Sequence, residues 1–111
     1  MTDRELLEQA AKAAGIKVKG YFEDEPTLLI KPGIRLPPAR WNPLTDDGDA
    51  LRLAVKLGLD IVQRASLCDG PLEAVVWVYQ GSCFIEPYTD DPCAATRRAI
   101  VRAAAQIGAG K

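Results

Sequence analysis

The side chains best able to do chemistry in this sequence are the carboxylates of Asp46, Asp47 and Asp49, crowded into four positions. A divalent cation such as magnesium or manganese binds where two or three such groups converge, each contributing an oxygen. The spacing departs from a calcium-binding loop, which needs a glycine at its sixth position and a glutamate at its twelfth. The three acids also stand at the start of an apolar helical period, where a carboxylate caps free backbone N–H groups and complements the helix dipole. In that role they take the donors a phosphate would use. The chain contains no histidine, which removes Ser–His and Cys–His pairs and histidine-ligated metals together. The hydroxyls of Ser66, Ser82 and Thr89 are then left without a base to activate them. Cys68, Cys83 and Cys93 are an odd number, 15 and 10 residues apart, with no C-x-x-C pair, a spacing with no metal signature. Small buried or half-buried free thiols of a reducing compartment are expected. Cys93 stands near a helix start, a setting that favours reactivity, with Asp90 and Asp91 beside it to oppose it. The expectation is no catalytic residue, no metal, no cofactor and no enzyme.

Two surfaces remain as candidates for binding. Arg97, Arg98 and Arg102 form the basic cluster of the chain, and Arg98 and Arg102, one helical turn apart, suit phosphates, carboxylates or an acidic protein partner. A solvated helix face is the plain alternative, and the aromatic side chains on which single-stranded nucleic acid stacks are missing from this segment. Trp41, flanked by Arg40 and by Asn42-Pro43, is of the residue type that dominates interface energetics. Its plain alternative is packing against the helix that follows. The candidate interface residues are therefore Arg40, Trp41, Arg98 and Arg102, and nucleic acid at the arginine face is the alternative to a protein partner.

The elements that must position these residues belong to an ordinary globular chain. The 111 residues carry 14 Lys and Arg against 15 Asp and Glu, a net charge of −1, with 48% hydrophobic residues. That length is one domain, spanning residues 1–111, and its composition fits neither disorder nor a disulfide scaffold. The near-neutral balance, with a pI of about 5.4, supplies no overall basic field to draw in a polyanion. Met1 to Glu8 is polar and acidic where a signal peptide needs a basic start and an apolar run, and no apolar stretch reaches the length of a membrane span. A cytoplasmic protein is expected.

Thr2 and Glu5 have the spacing of a capping box, and Leu6, Leu7, Ala10 and Ala14 share one side of a helical period that Gly15 ends. Lys17 to Phe22 and Thr27 to Ile30 predict a hairpin. Pro32 to Pro43 holds four prolines and predicts a stiff surface loop. A second helix starting at Thr45 or Asp46 runs to Leu57 with Gly58 as its cap, and its nearly all-round apolar wheel predicts the most buried of the three helices. Leu59 to Arg64 alternates as a strand. Glu73 to Tyr79 is apolar on both faces, which predicts a central strand with helices covering both sides. Gly81 favours a two-residue hairpin turn into a strand from Cys83 to Glu86. The last helix starts at Asp90 or Asp91 and ends at Ile107 before Gly108.

The stretches Trp41-Asn42-Pro43-Leu44-Thr45-Asp46-Asp47-Gly48-Asp49-Ala50-Leu51-Arg52-Leu53-Ala54-Val55-Lys56-Leu57 and Asp91-Pro92-Cys93-Ala94-Ala95-Thr96-Arg97-Arg98-Ala99-Ile100-Val101-Arg102-Ala103-Ala104 resemble small phage and prophage proteins of the phage ABA sandwich family. The resemblance implies an α+β fold of the three-layer α/β/α sandwich kind, a mainly antiparallel sheet covered by helices on both faces, in the order α-ββ-α-ββ(β)-α. It implies no activity and carries over no catalytic or binding residue. The loop from Pro32 to Arg40 has no counterpart in it. Together these expectations describe a nonenzymatic accessory protein of phage origin, acting on a host or phage protein through its exterior, with a homo-oligomer as a further form.

Overall fold

The computed structural model describes residues 2–22, 25–31, 36–65, 72–78 and 81–110. Local chemistry places the three helices of the described residues. In α1 (Asp3–Ala14) the Thr2 hydroxyl accepts the Glu5 backbone N–H at 3.2 Å, and Gly15 closes the helix in the left-handed conformation. In α2 (Asp47–Leu57) the Asp46 carboxylate accepts the Asp49 N–H at 2.8 Å, and Gly58 ends the helix in the same way. In α3 (Pro92–Ala109) the Asp91 carboxylate accepts the Ala94 N–H, with Pro92 in the first turn. The expected stop at Ile107 is corrected: α3 runs through Gly108. A Cβ on Gly108 would lie 1.8 Å from the Gln9 carbonyl oxygen, so this glycine allows α3 to press against α1 and does not cap the helix.

The strands form two three-stranded antiparallel sheets, each in chain order. The first contains β1 (Lys17–Tyr21), β2 (Leu28–Lys31) and β3 (Ala39–Trp41). The last of these lies in the segment expected as loop. It pairs at the sheet edge, where the missing N–H of a nearby proline costs no ladder bond. The second sheet contains β4 (Asp60–Ala65), β5 (Leu72–Trp77) and β6 (Cys83–Pro87). Its β5–β6 hairpin is closed by the Val78 N–H on the Ser82 carbonyl at 2.8 Å, one residue more than the expected two-residue turn, with Gly81 at φ 96°. The sequence also reads as a turn at Asp69-Gly70; that turn, residues 32–35 of the proline-rich loop, and Ser66, Cys68 and Tyr79 lie outside the described residues.

Burial places α3 at the centre. It packs on α1, α2, β5 and β6, and buries Ala95, Ala99, Ile100, Val101, Ala103, Ala104 and Ala105. The expectation that α2 is the most buried helix is overturned. Leu53 and Ala54 are sealed, but Leu51 is 60% and Val55 72% exposed. Alanines add little to an apolar wheel, yet they let α1 and α3 approach closely enough to exclude everything else. On the second sheet, the Gln63 side chain meets Thr96 and the Glu86 side chain meets Arg102, which fixes the face that α3 covers. Among the described residues α3 packs on this sheet, against β5 and β6. Among those residues no helix is long and apolar enough to cross a membrane.

Candidate functional site: a groove with a basic rim

The turn from β3 into α2 is built around one side chain. Asn42 is 6% exposed. Its amide nitrogen donates to the Thr27 hydroxyl at 3.0 Å, its amide oxygen accepts the Leu44 N–H at 3.0 Å, and its own backbone N–H donates to Asp49 at 3.0 Å. Its carbonyl accepts the N–H groups of Thr45 and Asp46. Asn42 thus ties the residue that leads into β2 to the first turn of α2 and sets the side chains on either side of that junction.

Trp41 precedes this hub and is 5% exposed. Its register opposite Leu28 turns the indole into the core, so of the two readings of Trp41 packing holds and an exposed anchor does not. Trp41 instead helps to line a groove of about 740 Å³ where the end of α1, the first sheet and α2 meet, with Ile30 and Leu53. The lining includes Lys17, Lys31, Arg40, Arg52 and Lys56 against a single carboxylate, Asp49. Arg40 pairs with Glu25 and lies over the Phe22 ring at 4.3 Å. Arg52 pairs with Asp49 at 2.7 Å. No acid stands within ion-pair distance of Lys17, Lys31 or Lys56 among the described residues. Lys17 is the direct cross-strand neighbour of Lys31, and like charges in that position repel. The rim is therefore a local excess of positive charge on a chain whose total is −1.

The other candidates lie elsewhere. Arg97 donates to the Leu44 carbonyl at 2.8 Å and to Asp47 at 2.6 Å. Arg98 reaches Asp3 at 3.2 Å and Glu86 at 3.8 Å, while Arg102 pairs with Glu86 and lies over the Phe84 ring at 5.3 Å. A phosphate on this face would compete with ion pairs that join α3 to α1, α2 and β6. The structure thus splits the four candidate interface residues: Arg40 and Trp41 line the groove, whereas Arg98 and Arg102 hold elements together. Asp46, Asp47 and Asp49 are each directed to a different donor, and among the described residues no group of three or more metal-ligating side chains converges. Cys83 and Cys93 are free and exposed, in place of the expected burial, because both lie at element starts facing outward.

Lys17, Lys31 and Lys56, which no acid pairs among the described residues, were missed from the sequence. The hairpin of β1 and β2 was legible, but its register was not, and only the register sets Lys17 opposite Lys31. Lys56 joins them through the packing of α2, which no local pattern reveals. Comparison with protein-family models, with curated proteins and with solved structures finds no match for the chain.

Proposed function

We propose that this chain is a nonenzymatic binding module, encoded by a phage or prophage and working in the cytoplasm of the bacterial host, that holds an acidic, partly apolar segment of a host or phage protein. The observation that carries this is the groove: an apolar floor at Ile30, Trp41 and Leu53 under a rim of five cationic residues and one carboxylate. Its volume lies within the range of about 300–1,000 Å³ in which ligand clefts fall. Apolar floor and charged rim divide the labour of recognition, the floor supplying affinity and the rim selecting the sign of the partner and speeding encounter. The phage origin rests on the likeness of the two stretches at Trp41 to Leu57 and Asp91 to Ala104, as does the three-layer α/β/α sandwich, which we keep as part of the same proposal.

The test is fluorescence anisotropy with a labelled short peptide alternating Glu and Leu, set beside one alternating Lys and Leu and a single-stranded oligonucleotide of matched charge. The acidic peptide is expected to bind, to weaken as salt is added, and to be released by the combined change Lys17→Glu, Lys31→Glu and Lys56→Glu. Equal binding by that triple variant, or preference for the oligonucleotide, would sink the proposal.

A further inference from the structure

β3 lends Ala39, Arg40 and Trp41 to the groove, and α2 lends Asp49, Leu53 and Lys56. The β3 side is a free strand edge. In the first sheet β2 lies between β1 and β3. The Thr27 carbonyl turns to β1, where it accepts the Phe22 N–H, so Leu28 and Ile30 turn their backbone groups to Trp41 and Ala39, their partners on β3. Arg40, between those two, therefore directs its N–H and C=O away from β2. The Asn42 N–H, two residues on, points the same way and is taken by Asp49 of α2. α2 thus flanks the open edge, and the backbone groups of Arg40 have no hydrogen-bond partner among the described residues.

We infer that the acidic segment enters this groove as an extended strand, added antiparallel to the outer edge of β3, with the Arg40 N–H and C=O as its main-chain anchors. The inference rests on the groove being the binding site and adds the form in which the partner is held. A sheet edge binds peptides through main-chain hydrogen bonds and reads their side chains alternately, on two surfaces. Both surfaces are present. Ile30 and Trp41 stand on the buried face of the first sheet, whereas Lys31, its cross-strand neighbour Lys17, and Arg40 stand on the other, by register and the two-residue period. Lys17 and Lys31 have no acid within ion-pair distance among the described residues. A strand alternating apolar and acidic residues lays its apolar set on the first surface and its acidic set on the second. In an antiparallel pair, the residue that exchanges both hydrogen bonds with Arg40 has its side chain on the face of Arg40. That residue is therefore an acidic one, and its N–H meets the Arg40 carbonyl.

The experiment uses the full chain and the Glu-Leu peptide in two backbone-methylated versions, one N-methylated at every glutamate and one at every leucine, read by fluorescence anisotropy. In an added strand only one of these sets of N–H groups faces β3. Methylated glutamates are expected to weaken binding by about tenfold or more, the effect of losing main-chain hydrogen bonds, and methylated leucines to leave it nearly unchanged. This arm needs no variant of the protein. In a second arm, Arg40→Pro removes the N–H at a sheet edge, where proline is accepted, and Arg40→Ala removes the same side chain but keeps the N–H. With matching circular dichroism spectra, Arg40→Pro is expected to bind several-fold more weakly than Arg40→Ala. Equal loss or equal retention with the two methylated peptides, loss with methylated leucines alone, or equal binding by the two folded variants would overturn the inference and leave the groove as the site. An unmodified Glu-Leu peptide that fails to bind would remove both.

Discussion

Asn42 commits both polar atoms of its side chain inside the fold, and its value lies in what would be stranded without it. Replacing it by alanine leaves the Thr27 hydroxyl and the Leu44 N–H without their partners in a buried place. Asn42→Ala is expected to lower stability by about 2 kcal/mol, the cost of orphaned buried polar groups, measured as a shift in the urea midpoint at constant slope. Trp41 beside it fills core volume, so Trp41→Ala is expected to cost about 3–5 kcal/mol. A variant that loses partner binding while keeping its full denaturation midpoint would contradict the burial assigned to it. Neither role is written in the residue type: a tryptophan between Arg40 and Asn42 fits an interface as well as a core, and only the pairing of β3 with β2 decides.

Among the elements, the packing of α1 on α3 sets the rest. Gly108 lies where a Cβ would overlap the Gln9 carbonyl, and no flexible side chain is there to move aside. Gly108→Ala is therefore expected to destabilise by about 3 kcal/mol or more, by forcing the two helices apart. Gly20, with nothing within 4 Å of a built Cβ, is the control, and Gly20→Ala is expected to change stability by less than about 1 kcal/mol. α2 gives the complementary pair. Leu53→Ala is expected to cost about 2–5 kcal/mol, while Val55→Lys, at a position 72% exposed, is expected to stay within about 0.5 kcal/mol. Thermal or chemical melts of the four variants check both pairs. The helix starts and most helix ends were legible in the sequence because caps at Thr2, Gly15, Asp46, Gly58 and Asp91 act within one turn. The order of burial was not, since the apolar wheel of α2 outweighs that of α3 on paper, and only contact between alanine faces reverses it. β3 was hidden for a related reason, its pairing being available only once β2 is in place.

At the scale of the whole molecule, a nearly neutral chain gathers at one groove three lysines that no described acid pairs, and uses Arg97, Arg98 and Arg102 as ties between elements. Arg97 joins α3 to α2, Arg98 joins it to α1, and Arg102 joins it to β6. The basic cluster that stands out in the sequence is thus the one least available to a partner. The lysines that are available are scattered at positions 17, 31 and 56, and only tertiary structure collects them. Function residing in that groove is tested most directly by a titration followed by two-dimensional amide NMR. With the acidic Glu-Leu peptide added to labelled protein, the resonances that move are expected to be those of Lys17, Ile30, Lys31, Leu53 and Lys56, with Arg98 and Arg102 unmoved. Shifts centred on α3, or none at saturating peptide, would contradict it.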